Sequence, residues 1–226
     1  ILPTGWMAAE NAEIEMGDTV AVWGCGPVGL FAVQAAHLMG AARVIAIDEY
    51  PGRLALARRF GAVTIDFRQT RVLEALMELS GGLGPDAVID AVGLESHGFA
   101  PDTILDNVKQ NVGVGADSAH ALREAIMAVR KGGRVSMPGV YGGFVDKFPL
   151  GALMEKGVQV RSGQTHVQRY TDDLLRRIGE GEIDTTFLIS HRLPLEDAAE
   201  GYRNFRYNQN DWTKVVLKPG LQAAAA

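Results

Sequence analysis

Three glycines, Gly24, Gly26 and Gly29, punctuate the run "VAVWGCGPVGL" (Val20–Leu30), and an acid, Asp48, stands 19 residues beyond the last of them. At this spacing each glycine has its own task. Gly24 permits a sharp turn out of a strand, Gly26 lets the backbone come close to a pyrophosphate, and Gly29 lets a helix pack tightly on the strand before it. Free N–H groups at the start of that helix, together with its dipole, favour an anion. An acid closing the next strand is placed to bind the hydroxyls of an adenosine ribose. The chemistry these residues point to is recognition of a dinucleotide. Asp48 argues for NAD, because the 2′-phosphate of NADP beside a carboxylate meets a repulsion of about 4 kcal/mol per charge pair at roughly 4 Å, taking an effective dielectric of about 20. That exceeds what an ordinary hydrogen bond returns. Arg53 is the opposing consideration, since an arginine nearby can accept the phosphate. A methyltransferase also uses a glycine-rich first turn and an acid after its second strand, but GxGxxG spacing running straight into a long helix fits a dinucleotide better.

Other chemistry-bearing residues read more plainly. Cys25 lies inside the glycine loop with no His or acid close in sequence to activate it, so it reads as a small apolar filler. The five histidines, His37, His97, His120, His166 and His191, never pair at i,i+3 or i,i+4, so no helical metal motif forms. His166 alone is placed to line an active cleft. Asp86 and Asp90 bracket a short strand, Asp90 at the carboxyl edge where ligands bind in such folds. Capping of turns or helices explains these two acids equally well. Arg58, Arg59, Arg176 and Arg177 read as solvated helix faces.

The elements that must position these residues follow an alternating order. Strands are predicted at Thr19–Trp23, Arg43–Asp48, Val63–Phe67, Ala87–Ala91, Val135–Val140 and Val158–Val160. Helices are predicted at Val28–Met39, Arg53–Phe60, Val72–Leu79 and Leu122–Val129. Such alternation implies right-handed crossovers and a doubly wound parallel sheet covered on both faces. Residues 94–120 are long for a connection and read as an insertion. Near the end, Leu195, Ala198, Ala199, Tyr202 and Phe205 keep helical spacing, Lys214–Leu217 reads as a last strand, and "LQAAAA" as a frayed tail. The predicted organisation is a hinge helix at 1–16, a nucleotide-binding domain at 17–165, and C-terminal helices and a strand at 166–226.

The bulk composition bounds the alternatives. A chain of 226 residues with 47% hydrophobic and 22% charged residues is that of an ordinary globular protein. A net charge of -5 argues against nucleic acid or an anionic membrane as partner. One cysteine excludes an internal disulfide framework or a thiolate-rich zinc site within these residues, and a reducing, cytoplasmic setting is the expectation. Thr19–Ala42 carries no Asp, Glu, Lys or Arg, but its glycines and Pro27 cut it, so strand plus buried helix explains it better than a membrane span. Glu10, Glu13, Glu15 and Asp18 argue against a signal peptide. A start at Ile1 within helix-forming sequence suggests a piece of a longer protein.

The segments "LPTGWMAAENAEIEMGDTVAVWGCGPVGLFAVQAAHLMGAARVIAID", "DAVIDAVG", "KGGRVSMPGVYGG", "ISHRLPLEDAAEGYRNF" and "KVVLKPG" together resemble the coenzyme-binding part of the zinc-dependent, medium-chain alcohol dehydrogenases. Within that family the sequence is most similar to the branch holding glutathione-independent formaldehyde dehydrogenase. The resemblance runs nearly end to end and is specific in the first third and at the C-terminal helix. It implies a Rossmann-type six-stranded parallel sheet in an α/β fold, with a C-terminal helix and strand returning to another domain. By resemblance, Thr4 contacts the nicotinamide, and Pro27 and Val28 belong to the glycine loop, with Val28 packed behind the nicotinamide ring. Arg53 reaches the adenosine ribose, the backbone of Pro138, Gly139 and Val140 and of Ser162, Gly163 and Gln164 binds the carboxamide, and Lys214 lies near the pyrophosphate. Only Gly24, Gly26, Gly29 and Asp48 rest on independent physical grounds.

In that family zinc polarises the alcohol oxygen so that its hydride can pass to NAD. The usual ligands are a cysteine, a His-Glu pair and a further cysteine or acid on an N-terminal domain, and in this branch an aspartate ligand falls just before the "ILPTG" run. The expectation is an NAD-binding part of a zinc-dependent alcohol or aldehyde dehydrogenase, with catalytic and zinc-binding residues outside these residues and association into homo-oligomers through the edge of the sheet. Two alternatives stand beside it: a zinc-free, NADPH-dependent reductase of the same superfamily, against which Asp48 argues, and a non-catalytic dinucleotide-binding module.

Overall fold

A computed structural model describes residues 1–92, 119–141, 145 and 147–220. The expected insertion at 94–120 falls almost wholly outside these residues, as does the tail. The helix α1 (Leu2–Asn11) leads into β1 (Thr19–Trp23), α2 (Pro27–Leu38), β2 (Arg43–Asp48), α3 (Pro51–Arg59), β3 (Val63–Asp66), α4 (Val72–Leu79) and β4 (Ala87–Asp90). Then come α5 (His120–Ala128), β5 (Arg134–Met137), α6 (Leu150–Lys156), β6 (Gln159–Ser162), α7 (Val167–Gly179), β7 (His191–Pro194), α8 (Ala198–Tyr207) and β8 (Val215–Lys218). The first six strands form one sheet in the order β3-β2-β1-β4-β5-β6, and every pairing in it is parallel. This is the doubly wound Rossmann arrangement, in which the strand order reverses between β1 and β4 and opens a crevice there.

The strand sequences explain why both faces must be covered. In β1, Val20 and Val22 enter one buried cluster while Ala21 and Trp23 enter the other. Val44 and Ala46 alternate in the same way with Ile45 and Ile47 on β2, and Ala87 and Ile89 with Val88 on β4. Side chains on a strand alternate between faces, so an unbroken apolar run needs an apolar layer on each side. One layer is α1, α2, α3 and part of α7, and the other is α4, α5 and part of α6.

The alternation expected from sequence holds, with edges displaced by a few residues. β5 stops at Met137 rather than Val140. Pro138 cannot continue a ladder, and the Gly139 N–H turns to the Asp90 carbonyl at 3.0 Å. The strand expected at Lys214–Leu217 is β8, which pairs with β7 in a small parallel sheet beside α8, and α6 and α7 add helices that were not placed individually from sequence. The uncharged stretch Thr19–Ala42 resolves into a strand and a 12-residue helix. Among the described residues no helix is long and apolar enough to cross a membrane.

Thr4 is positioned by small residues. A Cβ on Gly5 would stand 2.5 Å from Phe31 Cβ and 2.8 Å from the Val28 carbonyl, so α1 lies directly on α2. Buried Ala8, Ala9, Ala32, Ala35 and Ala36 continue that close packing. From the other side, Arg169 Nη2 donates to Glu10 at 2.9 Å and the Tyr170 hydroxyl donates to the same carboxylate. Burial, and then Glu10, push the Tyr170 phenol up to about 12, so it stays a donor at neutral pH.

Candidate functional site

The glycine loop sits at the reversal of strand order. Gly24 has φ +86°, donates its N–H to the Ile47 carbonyl at 2.8 Å, and would bring a Cβ within 2.9 Å of Val92 Cγ2. A Cβ on Gly29 would stand 1.7 Å from the Gly24 carbonyl oxygen, so the first turn of α2 closes on the loop only with glycine there. Gly26 is different, because a Cβ there would meet nothing within 4 Å. Its surroundings are open because it borders a groove of about 1080 Å³. Pro27 occupies the first position of α2, where no N–H is needed, and the following N–H groups face outward from the helix start.

The groove runs from that loop to the ends of β2 and α3, lined by Gly24, Gly26, Pro27, Val28, Asp48 and Arg53 among others. Asp48 is 5% exposed. Its Oδ2 accepts from the Cys25 N–H at 2.6 Å, and its Oδ1 accepts from the N–H groups of Glu49 and Tyr50 at 2.7 and 2.9 Å. The acid therefore ties the glycine loop to the end of β2, a task its spacing did not announce. Arg53 Nη1 lies 3.8 Å from Asp48 Oδ2, and the guanidinium covers the Tyr50 ring with its centre 4.7 Å from the ring centroid. Arg53 Nε is buried without a hydrogen-bond partner. An arginine and an open glycine lining one groove suit an anionic, hydroxyl-rich ligand.

A second hollow of about 230 Å³ brings Pro138, Gly139 and Val140 together with Ser162, Gly163 and Gln164. The two segments named from resemblance thus meet across the ends of β5 and β6. Thr4 is joined to them at one remove: the Thr165 hydroxyl donates to the Thr4 hydroxyl at 3.1 Å. Below them Asp90 is fully buried, accepting from the Val92 N–H at 3.0 Å and from the Tyr141 hydroxyl. Lys214 lines neither hollow. It precedes β8, with its carbonyl accepting from Ser190 and His191 N–H groups.

The remaining candidates take structural places. Cys25 is fully buried, and burial with the nearby Asp48 drives its thiol pKa well up, so it fills space. His37 packs beside Gly61, burial lowering its pKa, and His191 stacks on Trp212 at 3.7 Å between centroids. His166 is exposed at the start of α7 and lines neither hollow. Arg177 does more than solvate a helix face, since it covers Trp6 at 4.7 Å. Among the described residues no group of three His, Cys, Asp or Glu side chains is gathered as for a metal.

Sequence reasoning missed Gln209, which lines the groove from the segment after α8, and its neighbour Asn210. Gln209 Oε1 accepts from Arg53 Nη2 at 2.8 Å, and Asn210 Oδ1 from the Gly52 N–H at 2.8 Å. Their one signal is a polar run, "NQN", directly after an amphipathic helix. It also missed Glu124, whose carboxylate accepts from Trp23 Nε1 at 2.9 Å on the groove wall.

The family "Zinc-binding dehydrogenase" matches residues 27–97, the span from the glycine loop through β4. Over residues 27–97 the chain is similar to that family, and the relatives it matches include zinc-type alcohol dehydrogenase-like proteins. It is 41% identical over 222 residues to the zinc-type alcohol dehydrogenase-like protein AdhB of Bacillus subtilis, covering 96% of this chain and 57% of that protein. It is 31% identical over 236 residues to a glutathione-independent formaldehyde dehydrogenase of the same organism, covering 97% of this chain and 54% of that one. Among solved structures, the alcohol dehydrogenase TADH from Thermus sp. ATN1 superposes with a TM-score of 0.79 at 32% identity, covering 97% of this chain and 57% of that one. The chain therefore spans a little over half the length of these relatives.

Proposed function

We propose that this chain binds NAD in the groove between Gly26 and Arg53, and that it serves as the NAD-binding half of a zinc-dependent dehydrogenase acting on a small alcohol or aldehyde. The observation that carries the reading is one groove bounded by an open Gly26, a buried Asp48 and Arg53. A volume of about 1080 Å³ suits a ligand of dinucleotide size. The start of α2 receives the pyrophosphate, Asp48 and Arg53 the adenosine ribose, and Pro138–Val140 with Ser162–Gln164 the carboxamide. Val28 and Thr4 flank the nicotinamide, while Lys214, which lines neither hollow, rests on resemblance alone for a place near the pyrophosphate. A bound zinc would supply a Lewis acid for the alcohol oxygen, and bound NAD would supply the hydride acceptor. These 226 residues hold one cysteine and histidines far apart in sequence, so in this reading the metal ligands are contributed from outside them and the chain alone binds NAD without turnover. The formaldehyde dehydrogenase branch supplies the expected substrate class, supported by the 31% identity noted above. Association of copies along the exposed edge strand β6 belongs to the same reading.

Titration of the chain, followed by Trp23 fluorescence at the groove wall, tests the reading. Saturable binding of NAD, weaker binding of NADP and none of S-adenosylmethionine are expected. Absence of NAD binding overturns the assignment, and zinc-dependent alcohol oxidation by the purified chain overturns the claim that its ligands lie elsewhere.

A further inference from the structure

The adenosine end of the groove is closed by a contact far removed in sequence. Arg53, at the start of α3, and Gln209, beyond α8, are 156 residues apart and joined at 2.8 Å through Arg53 Nη2. The joint is braced on the next residue of each partner. The Gly52 N–H donates to Asn210 Oδ1 at 2.8 Å, and a Cβ on Gly52 would stand 2.3 Å from the Asn210 carbonyl. The segment therefore approaches α3 as closely as backbone allows, and Gly52 is what admits it.

The consequence lies in the fork geometry of arginine. A guanidinium grips a phosphate best through two parallel N–H bonds, presented either by Nε with Nη2 or by Nη1 with Nη2. Nη2 belongs to both pairs, and in this chain one of its hydrogens is given to Gln209. The other nitrogens are unequally placed: Nε is buried beyond a ligand's reach, so the pair left to a ligand is Nη1 with Nη2, and Nη1 lies 3.8 Å from Asp48. A single acceptor such as a ribose hydroxyl needs only one Nη hydrogen. A 2′-phosphate is gripped best by two prongs, and with Nε closed one of them is the nitrogen that Gln209 already holds.

We propose that Gln209 is a specificity-determining positioning residue, which by holding Arg53 Nη2 denies the 2′-phosphate of NADP a two-pronged contact and so favours NAD. This rests on the dinucleotide reading given above and adds to it the residue that settles the ambiguity of an arginine beside the acid.

The test compares NAD and NADP affinities of the full chain with those of three variants. Gln209→Leu frees the fork and is expected to move the NADP-to-NAD affinity ratio about tenfold toward NADP, the equivalent of roughly one charge-assisted hydrogen bond. Gln209→Glu keeps an acceptor on Nη2 and is expected to retain or sharpen the preference for NAD. Gly52→Ala pushes the segment off α3 and is expected to shift the ratio in the direction of Gln209→Leu. A merely structural role for Gln209 would lower both affinities together and leave the ratio unmoved. A ratio within about twofold of wild type in Gln209→Leu, or Gln209→Glu behaving as Gln209→Leu, overturns the proposal while NAD binding stands. Wild-type chain binding neither nucleotide overturns the dinucleotide reading itself.

Discussion

The two ends of the parallel sheet are built on different principles. At the carboxyl ends of the strands, backbone is left open: Gly26 borders empty space, Val140 is 62% exposed, and Arg53 lines a groove. At the amino ends, charge is paired. Arg134 Nη2 donates to Asp18 at 2.6 Å with both side chains nearly buried, and Asp86 accepts from Arg130 Nε at 2.6 Å and from the Thr19 N–H at 2.8 Å. Polar groups at one end border a groove, and those at the other are consumed in joining β1, β4 and β5. Function and stability should therefore separate along the strand axis.

The glycine loop tests that separation within five residues. Gly29→Ala places a carbon 1.7 Å from the Gly24 carbonyl. Both partners are backbone, so the strand-to-helix turn must open, and we expect a loss of more than about 4 kcal/mol, or failure to fold, in urea denaturation. Gly26→Ala meets nothing. Its expected stability is within about 1 kcal/mol of wild type, with the loss appearing in NAD affinity alone. A Gly29→Ala chain of normal stability would contradict the close packing on which the loop is built.

These contrasts show how far the sequence carried. The sheet, its order of helices and the glycine-acid pair were legible because they depend on period and local spacing, as in the alternation of Val20, Ala21, Val22 and Trp23 between two clusters. The dual task of Asp48 was not legible, since its bond to the Cys25 N–H exists only once β2 lies beside β1. Nor was the joint between Arg53 and Gln209, which no periodic signal marks. Helix α6 escaped because "LGALMEK" is short and mixes polar with apolar residues, whereas α7 carries Tyr170, Leu174 and Ile178 at helical spacing, a stripe that was open to be read.

Arg134 probes the opposite end. Replacing it with Met strands Asp18, which is 8% exposed and whose carboxylate is otherwise seen to accept from the Glu15 N–H at 2.9 Å. Breaking a nearly buried ion pair from one side costs about 3–5 kcal/mol, so Arg134→Met is expected to lower the denaturation midpoint strongly. NAD affinity of the folded fraction should stay within about twofold of wild type, because the site lies at the far ends of the strands. A matching loss of affinity would show that the two ends are coupled.

The gentlest probe is acid. Burial by itself raises the Asp86 pKa, but the Thr19 N–H, Arg130 and Arg134 outweigh it and hold the carboxyl below its ordinary value. A group whose folded pKa is depressed stabilises the fold above its unfolded pKa and loses that contribution as pH falls through the folded value. The contribution of Asp86 is thus complete at neutral pH and declines below about pH 4. Asp86→Asn keeps the shape and one acceptor but not the charge, and is expected to cost about 1 kcal/mol at pH 7. Its denaturation midpoint should then fall less steeply than wild type between pH 5 and 3, so that the two curves converge in acid. Parallel curves would mean that Arg130 is held to this end of the sheet by something other than the charge of Asp86, leaving the Thr19 bond as the acid's whole contribution.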